Sequence, residues 1–427
     1  MGINFPAAPI IGELYPTPAV AGIPQYKWDG TVWLAVTPSA LTYVQRGGDT
    51  MTGHLALPTA PAAANAVRRD FVEAYAAPFD AMSYSGMQIN GSMEVSQENG
   101  TGGISISAGS VIKYICDGWQ FNKNGTCVLV SGQALYTLTP GLPYLLSMGV
   151  STAQASMLAG DYVQFVQNIE GYRTARLGWG TASARPITLS FWVYAGRTGT
   201  YTGSIRNGAS DRSYAFSYTV NAVNTPEYKT ITIPGCVNGT WAAANTAGIV
   251  LVFTVACGTT YTAPSANTWL TGNYIAAPGQ VNGVATTSDA FNISGVIVLP
   301  GTQAPTVAQS PMIMRPYDQE LETCQRYYQK IFNCPGSAVG NGGGTYLFFH
   351  SFPLLTTMRS TPTFSLVGNI TFINSAGNQL NGNSIYAVDA ATVNSAVLSY
   401  VTGAGALNTT YKAMMGAAGA IVADARL

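Results

Sequence analysis

The chain of 427 residues carries two histidines, His54 and His350. Nucleophilic catalysis needs a base beside a serine or cysteine, and imidazole is the usual one. No G-x-S-x-G turn precedes His350, so a sheet surface or a subunit interface is its expected place. Glycan cleavage needs two carboxylates about 5–9.5 Å apart. Asp117, Glu170, Asp211, Glu227, Asp289 and Asp389 have the right chemistry, but sequence spacing does not measure their separation. Asp211 and Glu227 sit in turn-type sequence, which argues for structural roles. The long regular repeat of a β-helical depolymerase is missing, and Gly342-Gly-Gly-Thr lacks the lysine and helix of a phosphate loop. The six cysteines fall in loose pairs, Cys116/Cys127, Cys236/Cys257 and Cys324/Cys334. Without C-x-x-C spacing they do not suggest zinc. Small buried hydrophobes are the leading expectation, with a Cys116–Cys127 disulfide across a hairpin as the alternative. No metal and no cofactor is expected, and no enzyme activity.

Recognition is the chemistry that remains. Neutral sugars are held by stacking on exposed aromatic rings while polar groups take up the hydroxyls. The chain offers 7 Trp and 24 Tyr. Trp119, Trp179, Trp241 and Trp269 adjoin Gly, Asn or Thr and are candidates to line a ligand groove, together with Tyr346 and His350. Trp192 sits in an apolar run and is expected in the core. Loops around Asn341, Gly342, Asn378 and Asn381 have the composition of adaptable binding loops. Charged residues make up only 9% of the chain, against about 25% in an average globular protein. Since 47% is hydrophobic, disorder is excluded. Lys+Arg equals Asp+Glu at 19 each, so no basic excess exists to neutralise phosphates and nucleic acid is not an expected partner.

The elements that must position these residues are mostly strands. Residues 1–40 are proline-rich and end in Gln25-Tyr-Lys-Trp-Asp-Gly-Thr-Val-Trp33, where Asp29-Gly30 signals a hairpin with a type I′ turn. One hairpin is marginal alone, so Tyr26, Trp28 and Trp33 are expected to dock on something larger. Val67, Phe71, Val72 and Tyr75 fall at helical spacing behind Asn65 as a cap, and three copies around an axis would bury that stripe. From Met87 to Pro316 short β runs alternate with Gly, Asn, Pro or Ser, and roughly ten strands fit a sandwich or jelly roll. Pro316–Lys330 reads as a helix, with Leu321, Cys324 and Tyr328 on one stripe and Asp318 as cap. β runs resume beyond it as a small sandwich of roughly 95 residues. The apolar runs 247–257 and 413–423 are too short to span a bilayer as helices, and the N-terminus lacks the basic region of an export signal.

The stretch Gly47-Gly-Asp-Thr-Met-Thr-Gly-His-Leu-Ala-Leu57, followed by Ala66-Val-Arg-Arg-Asp-Phe-Val-Glu-Ala-Tyr75, resembles the recurring shaft module of phage tail fibres. It departs from that module at Arg68-Arg69-Asp70 and at Phe71, leaving the apolar spacing intact. The order Asp117-Gly-Trp119, Gln167–Arg173, Ile187–Ala195 and Ile293–Gly301 resembles the carbohydrate-binding-module jelly rolls of phage tail proteins, the first of these opening the sandwich. Leu321 through Lys330 is similar to a linker found in the same fibres. The resemblance implies an all-β, elongated homotrimer. Its parts would be a virion-attachment segment (1–40), a trimeric shaft with a short helix (41–85), a jelly roll (86–318), and a linker helix with a C-terminal β-sandwich tip (319–427). Met51, Leu55, Leu57, Val67, Phe71 and Tyr75 would form the shaft interface. The expected partners are two further copies, other tail or baseplate proteins, and a host surface glycan or outer-membrane receptor. The expected place is the virion, after assembly in the host cytoplasm. A tail-associated polysaccharide depolymerase and a purely structural tail adaptor are the alternatives.

Overall fold

The computed structural model describes residues 4–20, 24–36, 86–332, 336–341, 346–377, 379–382, 384–402, 410–415 and 419–427. The chain divides into two compact units, Met1–Ala77 and Pro78–Leu427. The expected shaft residues Met51, Leu55, Leu57, Val67, Phe71 and Tyr75 lie outside the described residues.

In the first unit, β1 (Leu14–Tyr15), β2 (Tyr26–Trp28) and β3 (Trp33–Ala35) form a three-stranded antiparallel sheet. The hairpin forms where Asp29-Gly30 signals it, but Trp28 pairs with Trp33, so Asp29 through Val32 make a longer loop than the type I′ turn expected. Gly30 takes positive φ (106°), and the Asp29 carboxylate accepts the N–H groups of Thr31 and Val32, both at 2.8 Å. Side-chain capping replaces the second positive-φ position.

The second unit opens with a sandwich of thirteen strands, more than the ten or so expected. They are β4 (Gly102–Ile106), β5 (Val111–Cys116), β6 (Trp119–Asn124), β7 (Val128–Thr139), β8 (Leu142–Thr152), β9 (Tyr162–Glu170), β10 (Ile187–Ala195), β11 (Gly199–Arg206), β12 (Arg212–Val220), β13 (Glu227–Ile233), β14 (Ala247–Cys257), β15 (Trp269–Thr271) and β16 (Ala290–Pro300). One sheet runs β13-β10-β16-β8-β7-β4 and the other β15-β12-β11-β14-β9-β6-β5. Strand pairing is antiparallel in both. The inner faces meet through aromatic rings, Phe191 against Phe253 at 4.8 Å and Phe165 against Phe291 at 6.0 Å.

The central strands β10, β14 and β16 are buried on both faces, which is why they read as continuous apolar runs. Outside the first sheet, Trp192 packs with Leu138, Leu142 and Leu145, and its indole N–H donates to the Ser310 hydroxyl. Outside the second, Val166, Val250, Val252 and Ile275 cluster with Tyr162 and Tyr261. Asp117-Gly118 forms the β5–β6 turn, with Gly118 at φ 75°, and does not open the sandwich as expected, because β4 and β5 precede it.

After the sandwich comes α2 (Tyr317–Gln325), α1 being a single turn described below. It stops five residues short of the expected end. Tyr328 instead begins β17 (Tyr328–Phe332), which pairs with β26 (Ala420–Asp424). Pro316 is the N-cap with no side-chain cap, so Asp318 lies in the first turn and does not cap. Between them run β18 (Gly336–Asn341), β19 (Tyr346–Pro353), β20 (Thr363–Val367), β21 (Ile370–Asn374), β22 (Gln379–Gly382), β23 (Ser384–Ala391), β24 (Ser395–Thr402) and β25 (Thr410–Met415). They form sheets ordered β17-β26-β20 and β22-β21-β25-β18-β19-β24-β23. Phe352, Met358, Phe372, Leu398 and Ile421 belong to the buried core of these sheets. Cys116, Cys127, Cys236, Cys257 and Cys324 are free thiols, so the Cys116–Cys127 disulfide does not form, and Cys334 lies outside the described residues.

Candidate functional site: an aromatic corner of the sandwich

Between β9 and β10 the chain turns through α1 (Gly171–Thr174) and a 3-10 turn (Ala175–Leu177) that ends on left-handed Gly178 (φ 64°). The N–H of Gly171 donates to Thr246 O at 2.8 Å and that of Tyr172 to Ala244 O at 2.9 Å. This seats α1 on the β13–β14 connection. A Cβ at position 171 would stand 2.5 Å from Ala242 O and 2.7 Å from Ala244 O, so only glycine allows the close approach.

Trp179, Trp241 and Trp269 meet beside this seat. Their ring centroids are 4.6 Å (179–241), 5.3 Å (179–269) and 5.6 Å (241–269) apart, at interplanar angles of 80°, 78° and 84°. Each ring thus turns an edge to the next, the arrangement the aromatic quadrupole favours. Tyr214 adds a fourth ring, 5.3 Å from Trp269, that the sequence reading did not single out. Trp179 is buried, while Trp241 and Trp269 are half-buried. All three indole N–H groups are committed: Trp179 to Arg185 O (2.7 Å), Trp241 to Asn238 O (3.1 Å) and Trp269 to Pro234 O (2.8 Å). A ligand here meets ring surface and no indole donor. The crevice between Thr174, Leu177, Trp179, Trp241 and Ile249 holds about 50 Å³, room for a water or two at about 30 Å³ each. A sugar ring can lie over this corner but cannot enter it.

Trp119 does not join them. It is 0% exposed, with its N–H donated to Asn90 O at 3.1 Å. The adjacent Gly118 marks a hairpin turn, and the alternation of β6 sends the Trp119 ring inward. Tyr346 and His350 are placed on β19, opposite Thr402 and Leu398, and their side chains lie outside the described residues. In the first unit, Tyr26, Trp28 and Trp33 pack with Phe5 and Tyr15, Phe5 stacking on Trp33 at 5.0 Å. These rings hold their own small sheet together.

Most of the candidate carboxylates are tied into structural bonds. Asp117 accepts from the backbone and side chain of Gln97 (2.8 and 2.5 Å). Burial pushes it up to about 6 against those hydrogen bonds. Glu170 takes Arg326 at 2.7 and 2.9 Å and the Tyr327 hydroxyl at 2.8 Å. Burial raises Glu170, but these donors outweigh it and leave its carboxyl below the usual range. Asp211 accepts from Asn207 at 2.6 Å, and Asp289 pairs with Arg197 at 2.9 Å. Glu227 clasps a turn through the N–H groups of Asn221 and Ala222 and through Lys229. Asp389 is exposed on β23.

The fold and this corner define an all-β protein built on an antiparallel sandwich with three clustered tryptophans, one buried and two half-buried. No protein-family profile matches the sequence, and no curated protein matches it. Solved structures similar to part of it include the enzymatically active domain of tailspike protein 4 of bacteriophage CBA120 (14% identity, TM-score 0.28, 51% of this chain). This chain spans only 22% of that tailspike chain. Others are a CBM4 module (12% identity, TM-score 0.24, 49% of this chain and 97% of the module) and the family 11 carbohydrate-binding module of Clostridium thermocellum Lic26A-Cel5E (10% identity, TM-score 0.23, 47% and 100%).

Proposed function

We propose that this chain is a phage tail fibre which adheres, as a homotrimer, to a glycan on the bacterial surface. Attachment to the virion is assigned to residues 1–40 and three-fold assembly to the shaft module at residues 41–85. Glycan contact is assigned to the β domains. The observation that carries the binding assignment is the meeting of Trp179, Trp241 and Trp269, picked from three distant stretches of sequence, at one corner of the sandwich.

Rings with committed N–H groups offer stacking surface at low entropic cost, which suits weak and sequence-tolerant sugar contact. Three-fold presentation then multiplies weak sites, and avidity can exceed single-site affinity by about 10²–10⁴. Binding without cleavage fits the carboxylates, since Asp117, Glu170, Asp211, Glu227 and Asp289 are occupied by structural partners.

The test is adhesion of full-length chain to a panel of immobilised bacterial surface polysaccharides, parent against the Trp241→Ala/Trp269→Ala double variant. Retention of the parent and loss of the variant, with the variant still folded by circular dichroism at the assay temperature, is the expected result. Release of reducing ends by the parent would replace adhesion with depolymerisation.

A further inference from the structure

The other side of the α1 segment is built from charge. Tyr172, Arg173, Arg176, Leu177, Arg185 and Pro300 border a cleft of about 470 Å³, and no carboxylate lines it among the described residues. Arg176 and Arg185 are exposed and have no hydrogen-bond or ion-pair partner among the described residues; Arg173 is half-buried. Every other arginine among the described residues donates a side-chain hydrogen bond inside the chain. Arg173 stands near enough to Glu170 and Tyr327 to favour the ionised form of both, yet Glu170 already holds a two-pronged pair with Arg326. Among the described residues, therefore, three arginines line one cleft with no carboxylate of their own to neutralise them. This happens in a chain with as many acidic as basic residues and only 9% charged residues in all, so a general basic excess does not explain it.

The cleft is also held in place. The carbonyl of Arg185 accepts the Trp179 indole N–H at 2.7 Å, and the Arg185 N–H donates to Leu177 O at 2.8 Å. The tryptophan corner thus fixes the loop that presents Arg185. A cleft lined by one sign of charge focuses its field on an incoming counter-ion. The planar fork of arginine matches carboxylate and phosphate oxygens two at a time. Beside the arginines the Tyr172 ring is 62% exposed, a flat apolar face next to the charge.

We propose that this cleft binds the acid group of an anionic sugar, a carboxylate or a phosphate substituent, with Arg173, Arg176 and Arg185 on the acid and Tyr172 against the sugar ring. The sugar in this statement rests on the glycan-adhesin reading; the anion chemistry stands on the cleft alone.

The experiment is calorimetric titration of the full-length chain with three probes: galacturonate, galactose 6-phosphate and galactose. At least one acid sugar is expected to bind, weakening as salt is added, with galactose weaker by about tenfold or more, as the loss of charged hydrogen bonds implies. The Arg176→Gln/Arg185→Gln variant changes exposed side chains only and should lose that preference by a similar factor while unfolding at the parent's temperature. Comparing the two acid sugars tells the carboxylate from the phosphate source. Equal binding of all three probes, acid-sugar binding unchanged in the double variant, or no heat with either acid sugar at millimolar concentration would each overturn the proposal. Acid-sugar binding by a parent chain that retains none of the immobilised polysaccharides would sink the adhesin reading and leave this cleft standing.

Discussion

Lys123 is 0% exposed, and its ammonium donates to three backbone carbonyls, Ser107 O (2.9 Å), Gly109 O (3.2 Å) and Gly125 O (3.0 Å). The lysine closes the loops around the start of β5 and the end of β6 from within. Replacing it by methionine keeps the length and takes the ammonium donor from Ser107 O and Gly109 O, while Gly125 O keeps the Gly109 N–H at 2.8 Å, at about 1–3 kcal/mol for each acceptor left dry. Lys123→Met should therefore lower the thermal midpoint clearly, and an unchanged midpoint would mean water takes over the cage. Acid titration separates two further groups. Burial raises Glu227, but Lys229 and the N–H groups of Ala222 and Asn221 bring it down to about 2. Its contribution is complete above its ordinary value near 4.5 and is lost as pH falls toward 2. Asp117 runs the other way. Burial holds it at about 6, so between 3.8 and 6 the folded chain keeps a proton the unfolded chain releases, and stability declines as pH rises through that window. In urea titrations Asp117→Asn should gain on the parent between about pH 4 and about pH 7. A constant difference would place the charge elsewhere. At this scale the sequence shows which tryptophans lie near turns, but not that Gly118 turns Trp119 inward. The convergence of Arg173, Arg176 and Arg185 also escaped notice, although they lie within a short stretch of sequence, because a loop's path is not written in its residue types.

The element that matters most is α1, a single turn held flat by glycine. Gly171 meets Ala242 O and Ala244 O, and Gly248 meets the Thr174 hydroxyl and Gly171 itself, so the two glycines form one close contact between α1 and β14. Gly171→Ala forces an overlap of the kind that costs about 1–3 kcal/mol. It should lift the segment carrying Tyr172, Arg173 and Arg176 and weaken binding at both the corner and the cleft. Titration of the variant with the acid sugars measures this, and full affinity would show that the backbone relaxes without moving the side chains. Some strands are legible in the sequence: β10 coincides with Ile187–Ala195 and β14 with the apolar run 247–257. α2 ends before the helical spacing does, because Tyr328 belongs to a strand whose partner, Asp424, is remote in sequence, and remote pairing leaves no local trace. Asp29-Gly30 marks the hairpin but not its turn type, since an aspartate side chain can cap a four-residue loop as well as enter a two-residue one.

At the scale of the whole molecule, the C-terminal sheets are bound to the sandwich by buried charge and stacking. The Arg426 guanidinium lies 4.1 Å from the ring centre of Tyr114 and 4.3 Å from that of Tyr328, and it also pairs with Asp424 and Glu98. Leu427 O accepts from Gln120 (2.8 Å) and Asn168 (2.9 Å) on the sandwich. Arg315 and Glu320, both buried, pair at 2.9 Å at the start of α2. Arg426→Ala should uncouple the two parts, so that a single unfolding transition becomes two in calorimetry; a single transition at the parent's width would contradict this. Adhesion by weak sites requires several of these bodies on one stalk. Sedimentation equilibrium of the full-length chain measures that requirement directly. The fibre assignment predicts one species at three times the 44.7 kDa of a single chain. A stable single chain, or a two-fold pair, would contradict it.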